Sequence, residues 1–235
     1  MTKGRPSIDP VPARDLGRLG GAYVRRRYAV LFYSLLFTLA AGPMAAALRV
    51  GGGLIEFFLA ANLLIAVLPV GKGRTRSFLI AGLSVLLLAR LAVAWLDHPA
   101  LSAITLGMWT IVALGAAAAA LRYAMRSRVV GAEQLYAALS AYLLAGIFLG
   151  LFYWVLQQLS PSTFVTATGE FSRTSAVYFS FVTLATLGYG DIVPRSDVAR
   201  GLAVVEGIGG QLFLAVLVAR MVSAYVRDKD KDGPD

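Results

Sequence analysis

One segment near the C-terminal end of the chain combines residues that suit the binding of a dehydrated cation. It reads Ala-Thr-Leu-Gly-Tyr-Gly-Asp over residues 185–191. Backbone carbonyls replace the water around a cation only where they line a narrow pore and point inward together. Gly188 and Gly190 permit the unusual backbone angles that this requires. The Thr186 hydroxyl can add an oxygen at the inner end, and Leu187 and Tyr189 are expected to turn away and pack against a supporting helix.

The rest of the chain has the composition of a membrane protein. Of its 235 residues 58% are hydrophobic and only 15% are charged, whereas a soluble domain has about half and about a quarter. A helix needs about 20 apolar residues to cross a bilayer. Six segments qualify as spans: Tyr28–Leu48, Leu54–Val70, Ser77–Leu96, Leu101–Leu121, Leu135–Leu159 and Gly201–Val226. A seventh apolar run, Thr174–Ala185, is too short to cross and predicts a re-entrant helix.

Basic residues alternate between the loops of this arrangement. They are dense before the first span, between the second and third, between the fourth and fifth, and after the sixth, and sparse in the other loops. Because cytoplasmic loops carry the excess of Lys and Arg, both termini are predicted to be cytoplasmic in a multi-pass protein of the plasma (inner) membrane. The net charge of +9 is thereby assigned to topology, and nucleic-acid binding is disfavoured.

The predicted fold class is an all-α membrane protein with six transmembrane helices, a re-entrant pore helix and a filter segment. The chain divides into a basic cytoplasmic N-terminal segment (1–27), a peripheral four-helix membrane domain (28–130), a pore domain (131–226) and a short cytoplasmic tail (227–235). No soluble ligand-binding domain is expected in the chain. The N-terminal segment fits a topology anchor best, with contact to anionic membrane lipids as the alternative.

Residues Thr174 to Tyr225 resemble the pore domain of the tetrameric potassium channel superfamily. Residues 178–184 resemble its pore helix, and residues 186–191 match its filter with Leu187 in place of the usual valine. Val193-Pro194 and then residues 200–202 resemble the link into its inner helix. The resemblance implies a potassium-selective, non-enzymatic channel that holds K⁺ ions, and no other cofactor, on oxygens of residues Thr186, Leu187, Gly188, Tyr189 and Gly190. Because one filter segment cannot encircle an ion, it also implies a homotetramer of identical subunits.

The supporting residues depart from the family pattern at two positions. Phe179 stands where many members have a tryptophan, and it cannot donate a hydrogen bond to the filter tyrosine. Val182 stands where some members have a glutamate that bonds the residue after the filter. Asp191 must therefore find another partner or face solvent and ions at the outer mouth. Tyr178 precedes these residues in the predicted pore helix, as a further support.

Polar and small residues inside the predicted spans give further expectations. Gly210 falls where the family places a hinge glycine, with Gly209 beside it, and both close packing and hinge freedom remain open. Glu206 is expected behind the filter, either bonded to the pore helix or the chain after the filter, or changing its protonation during gating. Glu56 and Arg90 are expected to form a buried ion pair, with Asp97 as a rival partner for Arg90.

The fourth predicted span has no Lys or Arg between Leu101 and Leu121. A voltage sensor needs several cationic residues along that helix, so steep voltage gating is not expected. The open alternative is a weakly selective monovalent cation channel of the same fold. A transporter with four filter-like loops is disfavoured because only one such loop is present. An enzyme is disfavoured because no convergent set of nucleophile, base and metal ligands is visible.

Overall fold

A computed structural model describes residues 13–47, 59–62, 64, 81–89, 92–93, 99–126, 131–167 and 169–229. Within these residues the long elements are α-helical. Two strands of three residues each lie in the connections between helices and pair with each other. The elements are α1 (Ala13–Ala47), α2 (Pro99–Arg126), α3 (Ala132–Leu159), β1 (Phe164–Thr166), α4 (Arg173–Leu184), β2 (Ile192–Pro194) and α5 (Asp197–Lys229).

Four of these helices are long and apolar enough to cross a membrane. Their candidate spans are Arg26–Met44, Ile104–Arg126, Ala132–Leu159 and Asp197–Ala224, and they match the first, fourth, fifth and sixth predicted spans. The second and third predicted spans are described only in part, and Glu56, Arg90 and Asp97 lie outside the described residues. The six-helix count and the Glu56–Arg90 pair therefore stay predictions.

Helix α1 breaks at its entry into the predicted membrane region. Arg26 has non-helical backbone angles, φ −121° and ψ 19°, whereas the helix continues past Pro43, where the sequence suggested a bend. A break leaves the following N–H groups without helical acceptors. The carboxylate of Glu133, in the first turn of α3, accepts a hydrogen bond from the Tyr28 N–H at 3.2 Å. The break in α1 is thus capped by the first helix of the predicted pore domain.

Helices α1, α2 and α3 share one apolar core. The Tyr28 ring stacks on Tyr123 of α2 at a centroid distance of 4.7 Å, and the Arg27 guanidinium lies 5.1 Å from both rings. The small-residue run of α2 supplies buried positions such as Ala116 and Ala120. Small side chains let helix axes approach closely, which membrane helices use in place of a hydrophobic driving force.

Helix α3 packs on the short helix α4 through two glycines. A Cβ added at Gly150 would lie 2.5 Å from the Cα of Val177, and one added at Gly146 would lie 2.6 Å from the Phe181 ring. No real side chain tolerates such distances, so the backbone of α3 lies directly against α4 at Gly150. The position of α4 along α3 is therefore determined by backbone contact.

A second core, made mainly of aromatic side chains, includes Phe179 of α4. Phe164 of β1 stacks on Phe171 with 4.4 Å between ring centroids, and Phe179 of α4 meets Tyr153 of α3 edge to face at 5.1 Å. Strand β1 pairs antiparallel with β2, with Val165 opposite Val193. This short sheet is a local addition to a fold whose other described elements are helical, as the predicted all-α membrane fold requires.

We expect Gly150→Ala to destabilise the protein by about 1–3 kcal/mol, because the added methyl would push the backbones of α3 and α4 apart. Thermal unfolding of the purified protein in detergent measures the change. The matched control is Gly115→Ala in α2, where a Cβ meets nothing within 4 Å in the described part of the chain. Alanine has the higher helix propensity, so that variant should be neutral or slightly stabilised. Equal melting temperatures for the two variants would contradict the contact.

Candidate cation site

Helix α4 directly precedes residues 185–191, the segment that the sequence indicates as a cation site. It begins after Ser172, whose Oγ accepts a hydrogen bond from the Ser175 N–H at 3.1 Å, and it ends at Leu184 with Ala185 as its C-cap. These bounds nearly coincide with the predicted short helix Thr174–Ala185. Residues 186–190 follow directly and are exposed in the single chain.

Backbone hydrogen bonds set the direction of the segment's carbonyls. The Leu187 N–H donates to the Val182 carbonyl at 2.8 Å, and the Gly188 N–H donates to the same oxygen at 3.4 Å. In a trans peptide the carbonyl points opposite to the N–H of the same unit, and no cis peptide occurs in the described chain. The carbonyls of Thr186 and Leu187 therefore point away from α4, toward the open side of the chain.

The segment alternates in backbone handedness. Thr186, Gly188 and Gly190 have φ values of 57°, 55° and 77°, and Thr186 is the one non-glycine residue of the described chain at positive φ. Such a conformation costs a non-glycine residue on the order of 1–3 kcal/mol and persists where surrounding contacts enforce it. Two contacts hold Thr186: its N–H donates to the Thr183 carbonyl at 2.9 Å, and its Oγ1 accepts from Gln211 Nε2 at 2.7 Å.

At the other end of the segment, α4 again supplies the support. The Tyr189 ring stacks on Tyr178 with 6.5 Å between centroids and 11° between planes. The nearby Asp191 carboxylate, as an acceptor for the hydroxyl proton, raises the pKa of Tyr178. The α4 residue that interacts electrostatically with Asp191 is thus Tyr178 and not residue 182. The side chains of Leu187 and Tyr189 remain 56% and 65% exposed in one chain. The expected packing of Leu187 against the supporting helix is therefore not present within the single chain.

The strands fasten the chain after the segment. The Ala167 N–H donates to the Asp191 carbonyl at 2.9 Å, next to the β1–β2 pairing, and the Arg195 N–H donates to the Thr163 carbonyl at 2.8 Å. The chain that enters α4 and the chain that leaves the segment are therefore tied together. The β-branched pair Ile192-Val193 was the sequence signal for this strand.

Glu206 joins three helices behind the segment. It is 4% exposed, and its carboxylate accepts hydrogen bonds from Tyr153 Oη of α3 at 2.6 Å and from Ser180 Oγ of α4 at 2.5 Å. The sequence offered two partners for Glu206, the predicted pore helix and the chain after the filter, and the structure places Ser180 of the former beside it. Tyr153 and Gln211 were missed, although polar residues in apolar helices are the signal that identifies them.

The structure separates the roles of the two adjacent glycines of α5. A Cβ added at Gly210 would lie 2.1 Å from the Leu184 carbonyl oxygen at the end of α4, whereas one at Gly209 would meet nothing within 4 Å in the described chain. Close packing explains Gly210. Val182 and Phe179 are both buried, and Val182 supports the segment through its backbone oxygen.

A family model matches the part of the chain that contains this site, and known proteins resemble parts of the chain. The sequence model of a family described as ion channel matches residues 138–227. Two-pore potassium channel 4 of Arabidopsis thaliana is 48% identical over 48 residues, which are 20% of this chain and 17% of that protein. Two pore potassium channel c of Oryza sativa subsp. japonica is 37% identical over 91 residues, 38% of this chain and 18% of that protein.

A bacterial relative shows the same likeness. Inward rectifier potassium channel Kirbac3.1 of Paramagnetospirillum magnetotacticum is 38% identical over 56 residues, 24% of this chain and 19% of that protein. The chain thus spans less than a quarter of the length of these relatives. No solved structure matches the chain significantly.

We expect Glu206→Leu to destabilise the protein, because the hydroxyls of Tyr153 and Ser180 would remain buried without this acceptor. Each lost hydrogen bond to a buried partner costs about 1–3 kcal/mol. The check is a double-mutant cycle on thermal unfolding, with Tyr153→Phe and Ser180→Ala made in the parent and in Glu206→Leu. Both single changes should destabilise the parent more than the variant, and full additivity would show that the junction is not coupled.

We expect Gly210→Ala to lower stability by about 1–3 kcal/mol or more, since the new methyl would displace the end of α4. Gly209→Ala is the matched control on the same helix and should melt near the parent temperature. Melting curves of the three proteins in the same detergent test the difference. Indistinguishable curves would mean that α5 does not approach Leu184 closely.

Proposed function

We propose that this chain, a member of the potassium channel superfamily, is a subunit of a potassium-selective channel that conducts K⁺ passively across the membrane. The membership is carried by the ion channel match and by the plant and bacterial potassium channels that the chain resembles. One structural observation supports the selectivity most directly. The N–H groups of Leu187 and Gly188 both donate to the Val182 carbonyl, so the carbonyls of Thr186 and Leu187 point away from α4, toward the open side of the chain.

Backbone carbonyls that point away from α4 can bind a cation that has lost its water. A ring of carbonyl dipoles can replace the hydration shell of K⁺, and the rigid backing by α4 keeps the oxygens in place. The segment also begins at the C-terminal end of α4, where the helix dipole places partial negative charge and favours a cation. Both effects act at the inner end of residues 186–190.

A ring requires copies of the chain. One chain contributes a single segment, so four identical subunits around an axis supply the coordination that K⁺ needs. The surface of α5 fits this assembly, because only 11% of its candidate span is buried in the chain against 56% for α3. Its apolar side chains need cover from neighbouring subunits and lipid. A homotetramer with a mass of about four times 25.0 kDa is therefore proposed.

The proposed channel is not steeply voltage-gated. In α2 the basic residues of the candidate span are Arg122 and Arg126, both in its last part, and residues 104–121 have none. A charge moves in the membrane field only if it lies within the hydrocarbon region, so α2 has little gating charge. The orientation proposed from the basic loops, with both termini cytoplasmic in the plasma membrane, places those arginines at the inner surface.

Purified protein reconstituted in planar bilayers tests the proposal. Under opposed K⁺ and Na⁺ gradients the reversal potential should approach the K⁺ equilibrium potential, barium should block the current, and a voltage ramp should show weak rectification. Gly188→Ala should reduce selectivity or current, because alanine is strained at the φ of 55° that residue 188 adopts. A matched control is Gly201→Ala in α5, where a Cβ has open space in the described chain.

Three results would count against parts of this proposal. A reversal potential near zero would favour the weakly selective monovalent cation channel of the same fold. A steep opening curve would contradict the absence of a voltage sensor. If the purified particle had the mass of one chain, it could not form the ring of carbonyls on which conduction depends.

A further inference from the structure

We infer that Gln211 is a positioning residue for the innermost cation site, where it holds the Thr186 hydroxyl oxygen toward the ion. This inference rests on the proposed function, and it concerns a residue outside the filter segment. Its geometric basis is the hydrogen bond from Gln211 Nε2 to Thr186 Oγ1 at 2.7 Å, which joins α5 to the segment.

The place of Gln211 in α5 is set by its neighbour. Gly210 lies directly against the Leu184 carbonyl at the end of α4, so residue 211 is held at the level where the segment begins. Gln211 is exposed in the single chain, between Gly210 and Leu212 in an apolar helix. A carboxamide in a membrane span is costly unless it has a polar partner, and Thr186 is one partner that the structure provides.

The bond limits what the Thr186 hydroxyl can do. A hydroxyl has one donor hydrogen and two acceptor lone pairs. Gln211 occupies one lone pair as a donor, so the hydroxyl can rotate less freely and its other lone pair has a defined direction. Thr186 also carries the strain of a positive φ, which the bond from its N–H to the Thr183 carbonyl helps to enforce. Gln211 thus preorganises an oxygen ligand without itself touching the ion in the segment.

Preorganisation of this kind predicts an effect on ion affinity at one end of the filter only. A net hydrogen bond contributes about 0.5–1.5 kcal/mol, which corresponds to about a two- to tenfold change in affinity. The backbone carbonyls of Thr186 and Leu187 are held by the bonds to α4 and should be unaffected. The ion that reports the innermost site is Ba²⁺, which has nearly the radius of K⁺ and twice its charge, applied from the cytoplasmic side.

The experiment compares the parent with two variants in the reconstituted channel. Gln211→Met keeps the length of the side chain but removes the donor, and Gln211→Asn keeps the amide but is one methylene too short for the 2.7 Å contact. Both should weaken cytoplasmic barium block about two- to tenfold through faster barium exit. The melting temperature without barium should stay near the parent value, because the bond that both variants remove is exposed in the single chain.

A binding measurement accompanies the electrical one. Barium should raise the melting temperature of the detergent-solubilised parent, because a ligand that binds only the folded state stabilises it. Each variant should need about two to ten times more barium for the same rise. This readout does not require a conducting channel, and a purely structural role of Gln211 would lower the melting temperature at every barium concentration alike.

The outcomes separate the two proposals. If the parent conducts K⁺ and is blocked by barium but both variants are blocked equally well, the role of Gln211 is overturned and the proposed function stands. If the variants lose melting temperature and selectivity together, Gln211 is a structural residue and the inference is also overturned. If the parent neither conducts K⁺ nor is stabilised by barium, the proposed function itself fails.

Discussion

The architecture depends on one backbone acceptor, the carbonyl of Val182 at the end of α4, which receives the N–H groups of both Leu187 and Gly188. These two bonds turn the peptide units of the segment so that their carbonyls leave α4 on the opposite side. Among the described contacts, these two bonds are the ones that set the direction of the Thr186 and Leu187 carbonyls. The strained φ of Thr186 and the glycines at positions 188 and 190 are what the chain needs in order to adopt this path.

Everything around α4 serves to hold that carbonyl in place. The backbone of α3 touches α4 at Gly150, the backbone of α5 touches it at Gly210, and Glu206 bonds α3 and α4 from within α5. A short helix in a membrane has little stability of its own, because its ends expose unpaired backbone groups. Three independent contacts therefore replace the length that α4 lacks, and the β1–β2 pair closes the connection on either side.

Two hydrogen bonds join the peripheral helix α1 to this centre, in addition to the apolar core that α1, α2 and α3 share. Glu133 and Tyr136, in the first turns of α3, bond Tyr28 and Tyr33 of α1 at 3.2 Å each. Helix α3 thus carries contacts to α1 near its beginning and contacts to α4 and α5 near its end. Among the described residues, α3, a helix of 28 residues, is one route by which a displacement of α1 would reach the segment. This connection is a structural route and not by itself a sensor.

The sequence alone determined the elements whose signal is local. Apolar length predicted the spans that α1, α2, α3 and α5 contain, and the glycines at 188 and 190 predicted the unusual backbone that both adopt. The tertiary structure decided what depends on distance between elements. Tyr153 and Gln211 acquire their partners 53 and 25 residues away, and Gly210 differs from Gly209 only by the side of α5 on which Leu184 lies. Such pairings follow from how helices pack, and composition and spacing along one chain do not contain that information.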